Sequence, residues 1–164
     1  LKGQFDHLIS VEMIEAVGYD YFQTYFKQIG ALLKPTGKAL IQAITIGDQR
    51  FDSYRKSTDF INQYIFPGGC LPSVEVINQG ISANTALRLD HLEDIGLHYA
   101  RTLRDWYALI HRYESALPES NQDPRFLRMW DYYLLSCAGA FAERRISTVQ
   151  MLFAGPAADR DAVS

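Results

Sequence analysis

The chain has 164 residues, 48% of them apolar and 21% charged, with a formal net charge of -3. That length suits one domain with its own core. No apolar run reaches the ~18–20 residues of a spanning helix, and the mild acidity gives no ground for a nucleic-acid partner.

In chain order, Phe5–Val11 is short, partly β-branched and flanked by polar sequence, which predicts a strand. A helical stretch over Met13–Val17 breaks at Gly18. From Asp20, a plausible N-cap, Phe22, Tyr25, Phe26, Ile29, Leu32 and Leu33 recur at helical spacing. Lys34-Pro35-Thr36-Gly37 predicts a turn that ends this helix. Ala39–Ile46 is nearly all apolar, as in a strand covered on both faces. Strand, helix and strand in this order predict a βαβ unit with parallel pairing.

Arg50–Phe66 is polar and aromatic and closes in a turn at Phe66-Pro67-Gly68-Gly69. Leu71–Ile81 reads as a short helix and Leu87–Leu92 as a strand. Two long amphipathic helices follow, one with Tyr99, Leu103, Trp106, Tyr107, Ile110 and Leu117 on a shared face. The other aligns Phe126, Trp130, Tyr133, Cys137 and Phe141. Val149–Phe153 alternates as a last strand, and 156–164 reads as a flexible tail. The elements predict an α/β sheet with a helical layer inserted after its second strand.

Local chemical motifs are scarce. No Gly-rich phosphate loop occurs among the 11 glycines. The histidines His7, His91, His98 and His111 lack metal-site pairing, and no metal is expected. Cys70 and Cys137 form neither a C-x-x-C nor a disulfide framework, so a reducing compartment is the default. Ser10 and Ser136 lack a nucleophile-elbow context. The 13% aromatic content fits either core packing or an apolar tunnel for an acyl chain, whose ring faces could shield a cation. Glu15 follows the first strand, near the carboxyl edge of a parallel sheet where ligands bind. A first-turn glutamate also simply suits a helix dipole, and Glu12 is the natural rival. Arg101, Arg104, Arg112, Arg125 and Arg128 could meet anionic head groups or form a solvated helix face with Asp105 and Glu114.

Four segments together resemble one family. They are Ile9-Ser10-Val11-Glu12-Met13-Ile14-Glu15-Ala16-Val17-Gly18, Leu33-Lys34-Pro35-Thr36-Gly37, Tyr64-Ile65-Phe66-Pro67-Gly68-Gly69-Cys70-Leu71-Pro72-Ser73, and Tyr132-Tyr133-Leu134-Leu135-Ser136-Cys137-Ala138-Gly139-Ala140-Phe141. In order and spacing they are similar to the cyclopropane-fatty-acyl-phospholipid synthases and mycolic acid cyclopropane synthases, from Phe5 to about Gly155.

The resemblance implies the later part of a Rossmann-like class I methyltransferase fold over 1–155, with a lipid-binding helical insertion at roughly 48–84. The first three strands and the glycine-rich loop are absent from this sequence. It further implies methyl transfer from S-adenosylmethionine to a cis double bond of a phospholipid acyl chain. A cyclopropane ring then closes through a carbocation, with bicarbonate as base.

By the same resemblance, Glu15 helps hold the bicarbonate, the Ile44 amide binds it, and Tyr99 is the site tyrosine. Gln42 stands where the best-known members have histidine. A glutamine can still donate a hydrogen bond but cannot titrate, which leaves methylation without ring closure open. Val11 lies where the backbone meets the cofactor. Phe66, Leu103, Tyr133 and Cys137 match lipid-tunnel positions.

Further expectations follow. The isolated chain is inactive for want of its cofactor loop, and the protein is cytoplasmic, peripheral to the inner membrane face. The sheet edge at Phe5–Val11 promotes self-association. The alternative is a non-catalytic, truncated lipid-binding or accessory domain.

Overall fold

The computed structural model describes residues 1–118, 121 and 123–159. Its elements are β1 (Phe5–Val11), α1 (Ile14–Val17), a 3-10 turn (Tyr19–Tyr21), α2 (Phe22–Leu32), β2 (Leu33–Ile46) and α3 (Asp48–Tyr54). A π-turn (Ile61–Ile65), α4 (Val74–Asn84), β3 (Arg88–Asp94), α5 (Gly96–Arg112), a second 3-10 turn (Glu114–Ala116), α6 (Pro124–Ala142) and β4 (Ile146–Ala154) complete it. The chain divides into a sheet unit, Leu1–Asp94 with Thr148–Ser164, and a helical unit, Ile95–Ser147.

The four strands pair in the order β1-β2-β4-β3. β1 and β2 are parallel, as the crossover through α2 requires, and β3 and β4 are antiparallel. β2 alternates strictly: Ala39, Ile41 and Ala43 are buried, and Leu40, Gln42 and Ile44 between them are half-buried. The buried set joins Val149, Met151 and Phe153 of β4, and Phe22, Phe26 and Ile29 of α2, in one core with Ile77 and Ile81 of α4. A Cβ on Gly80 would run into the Phe26 ring, so α4 lies close against α2 only because that position lacks a side chain.

The structure corrects several local expectations. Lys34–Gly37 is not a turn between elements but part of β2, where the register passes from Phe5↔Leu33 to His7↔Lys38. The extra residues form a bulge, a place where proline costs the ladder nothing. Lys34 Nζ pairs with Asp6 Oδ1 at 2.9 Å across it. Gly37 fits because a Cβ there would lie 2.8 Å from Asp6 O. Asp20 does not cap α2: it sits in the 3-10 turn that Gly18 opens at φ 75°, and the helix starts at Phe22 without a side-chain cap.

Arg50–Phe66 folds into most of α3 and the π-turn. The expected helix over Leu71–Ile81 begins only at Val74, because Ser73 caps it by accepting a hydrogen bond from Val76 N–H at 3.2 Å. Leu117 lies beyond α5, outside the face assigned to it. On α6 the fully buried stripe is Leu127, Leu134, Ala138 and Phe141, with Phe126, Trp130, Tyr133 and Cys137 half-buried on its flank.

Residues 48–84, expected as the helical insertion, pack with the sheet unit through Phe51, Ile77 and Ile81; the helices that cluster separately are α5 and α6. In the expected tail, Ala157 N–H donates to Pro35 O at 3.0 Å; residues 160–164 lie outside the described residues.

A candidate anion-handling carboxylate site

The site begins with the turn after β1. Glu12 adopts φ 49°, and its N–H donates to Gln42 O at 2.9 Å, so the chain leaves the sheet sharply at the carboxyl end of β1. The short α1 then carries Glu15 back toward β2, where Ile44 N–H donates to Glu15 Oε1 at 2.6 Å. The second oxygen, Glu15 Oε2, is buried and has no hydrogen-bond partner among the described residues. Burial, and secondarily the neighbouring Glu12 charge, raise the Glu15 pKa above the ordinary carboxylate value against the hydrogen bonds that lower it.

The Phe66–Ser73 segment fixes this arrangement from the outside. Cys70 N–H donates to Glu15 O at 2.9 Å, and Ile46 N–H donates to Pro72 O at 3.0 Å, so one loop touches α1 and the end of β2. A Cβ on Gly18 would lie 3.0 Å from Gly68 O, and one on Gly69 would lie 3.0 Å from Phe66 O. The missing side chain of Gly18 therefore lets the turn after α1 meet the Gly68 backbone, while that of Gly69 serves the turn of its own segment.

Gln42 is bonded through both ends of its carboxamide. Its Nε2 donates to Glu12 Oε1 at 2.9 Å, and its Oε1 accepts from Gln150 Nε2 at 2.8 Å. The carboxamide is thus a brace between β1 and β4. Gln150 was not visible as a site residue, since nothing in its local sequence marks it. Glu12, the rival to Glu15 in the sequence, is the brace partner of Gln42 and a neighbouring charge to Glu15.

Of the remaining positions, Val11 ends β1 with its side chain 56% exposed. Phe66 is 55% exposed at the turn rather than enclosed. The helical unit holds the others. Tyr99 stacks on Phe141, centroids 5.0 Å apart and planes at 22°, so α5 and α6 share an aromatic contact. Leu103 is 2% exposed. Tyr133 packs edge-on against Trp130 at 5.5 Å, and Cys137 follows one turn later, half-buried. Glu15, Gln42 and Ile44 come together in the sheet unit; Tyr99, Leu103, Tyr133 and Cys137 belong to the helical unit.

Residues 1–151 match the family model for mycolic acid cyclopropane synthetase. The chain belongs to this family. Among cyclopropane synthetase relatives, the cyclopropane-fatty-acyl-phospholipid synthase of Escherichia coli (strain K12) is 41% identical over 155 residues, 93% of this chain and 38% of that protein. The tuberculostearic acid methyltransferase UfaA1 of Mycobacterium tuberculosis is 38% identical over 150 residues, 92% of this chain and 35% of that protein. The mycolic acid cyclopropane synthase CmaA1, solved in complex with SAH and CTAB, superposes with a TM-score of 0.81 at 24% identity. That match covers 94% of this chain and 56% of the CmaA1 chain. The fold is therefore part of a class I S-adenosylmethionine-dependent methyltransferase, and the chain spans less than two fifths of the two curated relatives' lengths.

Proposed function

We propose that this cyclopropane synthetase segment is the later part of an enzyme that methylates a cis double bond of a phospholipid acyl chain and closes a cyclopropane ring. The observation that carries the reading is the Glu15 carboxylate. One oxygen is fixed on the Ile44 amide, and the other is buried and unpartnered at the carboxyl end of the parallel strands. When bound, S-adenosylmethionine supplies the methyl group and bicarbonate the base for the proton lost on ring closure.

The residues present fit bicarbonate through Glu15 Oε2, which would accept from its O–H group as a carboxylate or donate to one of its oxygens once protonated. The Ile44 N–H is already satisfied by Glu15, so the amide acts by orienting the carboxylate. Two anions side by side repel, and the burial that raises the Glu15 pKa lets this carboxyl take up a proton instead. For S-adenosylmethionine, the sequence offers the β1 end at Val11 but no glycine-rich loop, so the isolated 164 residues do not turn over. Aromatic faces such as Tyr99 on Phe141 suit a dry pocket for a developing cation. Phe66, Leu103, Tyr133 and Cys137 serve the acyl chain.

A second reading, methylation without ring closure, is favoured by Gln42, whose carboxamide is committed to Glu12 and Gln150. The named activities of the two relatives, a cyclopropane synthase and a tuberculostearic acid methyltransferase, span both outcomes.

The test is a chimera in which this chain replaces the matching segment of the E. coli synthase. Labelled methyl transfer from S-adenosylmethionine to unsaturated phospholipid is expected, abolished by Glu15→Gln, and ring-proton NMR separates ring from branch. An inactive but folded chimera, or turnover by the isolated chain, overturns the corresponding claim. No helix of the described residues is long and apolar enough to cross a membrane. The proposed action on phospholipid carries with it the reading of a peripheral protein at the inner, cytoplasmic face. The β1 edge, with Ile9 70% exposed, supports self-association, which sedimentation tests.

A further inference from the structure

Along α6, Arg125, Arg128, Tyr132, Leu135 and Gly139 recur at alternating intervals of three and four residues, so a single stripe of the helix carries them. Every one of them is exposed, opposite the buried Leu127, Leu134, Ala138 and Phe141. Tyr132 is 58% exposed and Leu135 47%. A Cβ on Gly139 would meet nothing within 4 Å, so the stripe runs out into open space. At 1.5 Å per residue it extends about 20 Å.

Its charge is one-sided. Asp131 is the sole acid of α6 and points elsewhere, its Oδ1 lying 2.8 Å from His111 Nε2 of α5. Among the described residues no carboxylate pairs with Arg125 or Arg128. The basic stripe sits on a chain of net charge -3, so it is a local departure from the chain's balance. Guanidinium groups suit phosphate, and a tyrosine ring beside an exposed leucine suits the boundary between head groups and acyl chains.

We infer that this stripe of α6 docks on an anionic phospholipid bilayer, with Arg125 and Arg128 on head-group phosphates and Tyr132 and Leu135 in the interface. The choice of a bilayer over an acidic protein rests on the phospholipid reading above. Docking is measured on the 164-residue chain without turnover, so it stands or falls separately from catalysis.

The experiment is co-sedimentation with phosphatidylcholine vesicles, with and without phosphatidylglycerol, at two salt concentrations. Binding is expected only to the phosphatidylglycerol vesicles and weakens with salt. Arg125→Gln with Arg128→Gln lowers the partition coefficient about thirtyfold. Tyr132→Ser with Leu135→Ser lowers it severalfold at both salts. Lys2→Gln with Lys27→Gln, an equal charge change at exposed positions of the sheet unit, leaves it unchanged, and melting curves verify that each variant is folded. Equal binding without phosphatidylglycerol, no binding at all, an arginine variant that binds normally, or an equal loss in the Lys2/Lys27 variant overturns the proposal.

Discussion

The two faces of the sheet, reached by one alternating strand, have opposite characters. Toward α2 and α4, β2 sends Ala39, Ile41 and Ala43 into a closed apolar core. On the other face it sends Gln42 and Ile44, beside Val11 of β1 and Gln150 of β4, and these are polar or only partly buried. The difference teaches that the dry face sets positions and the wet face uses them. Glu15 can keep a buried carboxylate with one oxygen unpaired because Ile44, which holds the other oxygen, belongs to a strand packed into the core on its opposite face.

The sharpest way to break that contrast is Phe26→Ala. It empties the contact between α2 and Gly80, and a loss of about 3–5 kcal/mol in urea-unfolding stability is expected. A loss below about 1 kcal/mol would mean that α2 and α4 do not form the closed layer.

Gln150→Leu acts on the other face with a smaller effect. It leaves Gln42 Oε1 unpaired in a half-buried place and costs about 1 kcal/mol. Faster amide exchange at Glu12 is expected with it, because the brace holds the turn after β1. Unchanged exchange there would show that the brace supports nothing.

Glu15→Gln is expected to shift stability least, and by an amount that depends on pH. The raised pKa means that the folded state binds this proton more tightly than the unfolded chain. The stability from protonated Glu15 is therefore full below the ordinary carboxylate pKa and is lost as pH rises through the raised folded value. The variant should then melt higher than the parent at neutral pH and converge with it in acid. Parallel melting profiles across pH would remove burial as the cause of the shift.

Much of this contrast was legible in the sequence. The apolar run Ala39–Ile46 announced a strand, and Glu15 stood out at the end of the preceding one. Pairings between distant residues were not legible: Gln42 and Gln150 meet because β2 and β4 are neighbours, which no local pattern states. The Lys34–Gly37 segment misled because proline and glycine signal a stop equally well for a turn and for a bulge. The register of β1 decides between them. Asp20 misled in a similar way, since Gly18 had already turned the chain before a cap could act. The two amphipathic helices of the helical unit were legible from their spacing, but of the α6 face only Phe141 is fully buried, while Phe126, Trp130, Tyr133 and Cys137 lie on its flank.

The contact behind Glu15 also has a temporal side. Cys70 with Glu15 joins stretches much farther apart in the chain than the paired residues of β1 and β2, and such closures come late because their entropy must be met before they add stability. During refolding the β1–β2 core should therefore mature first, with the carboxylate still mobile. The site then arrives with the closing of the Phe66–Ser73 loop, so the step that completes the chemistry is also a last step of folding.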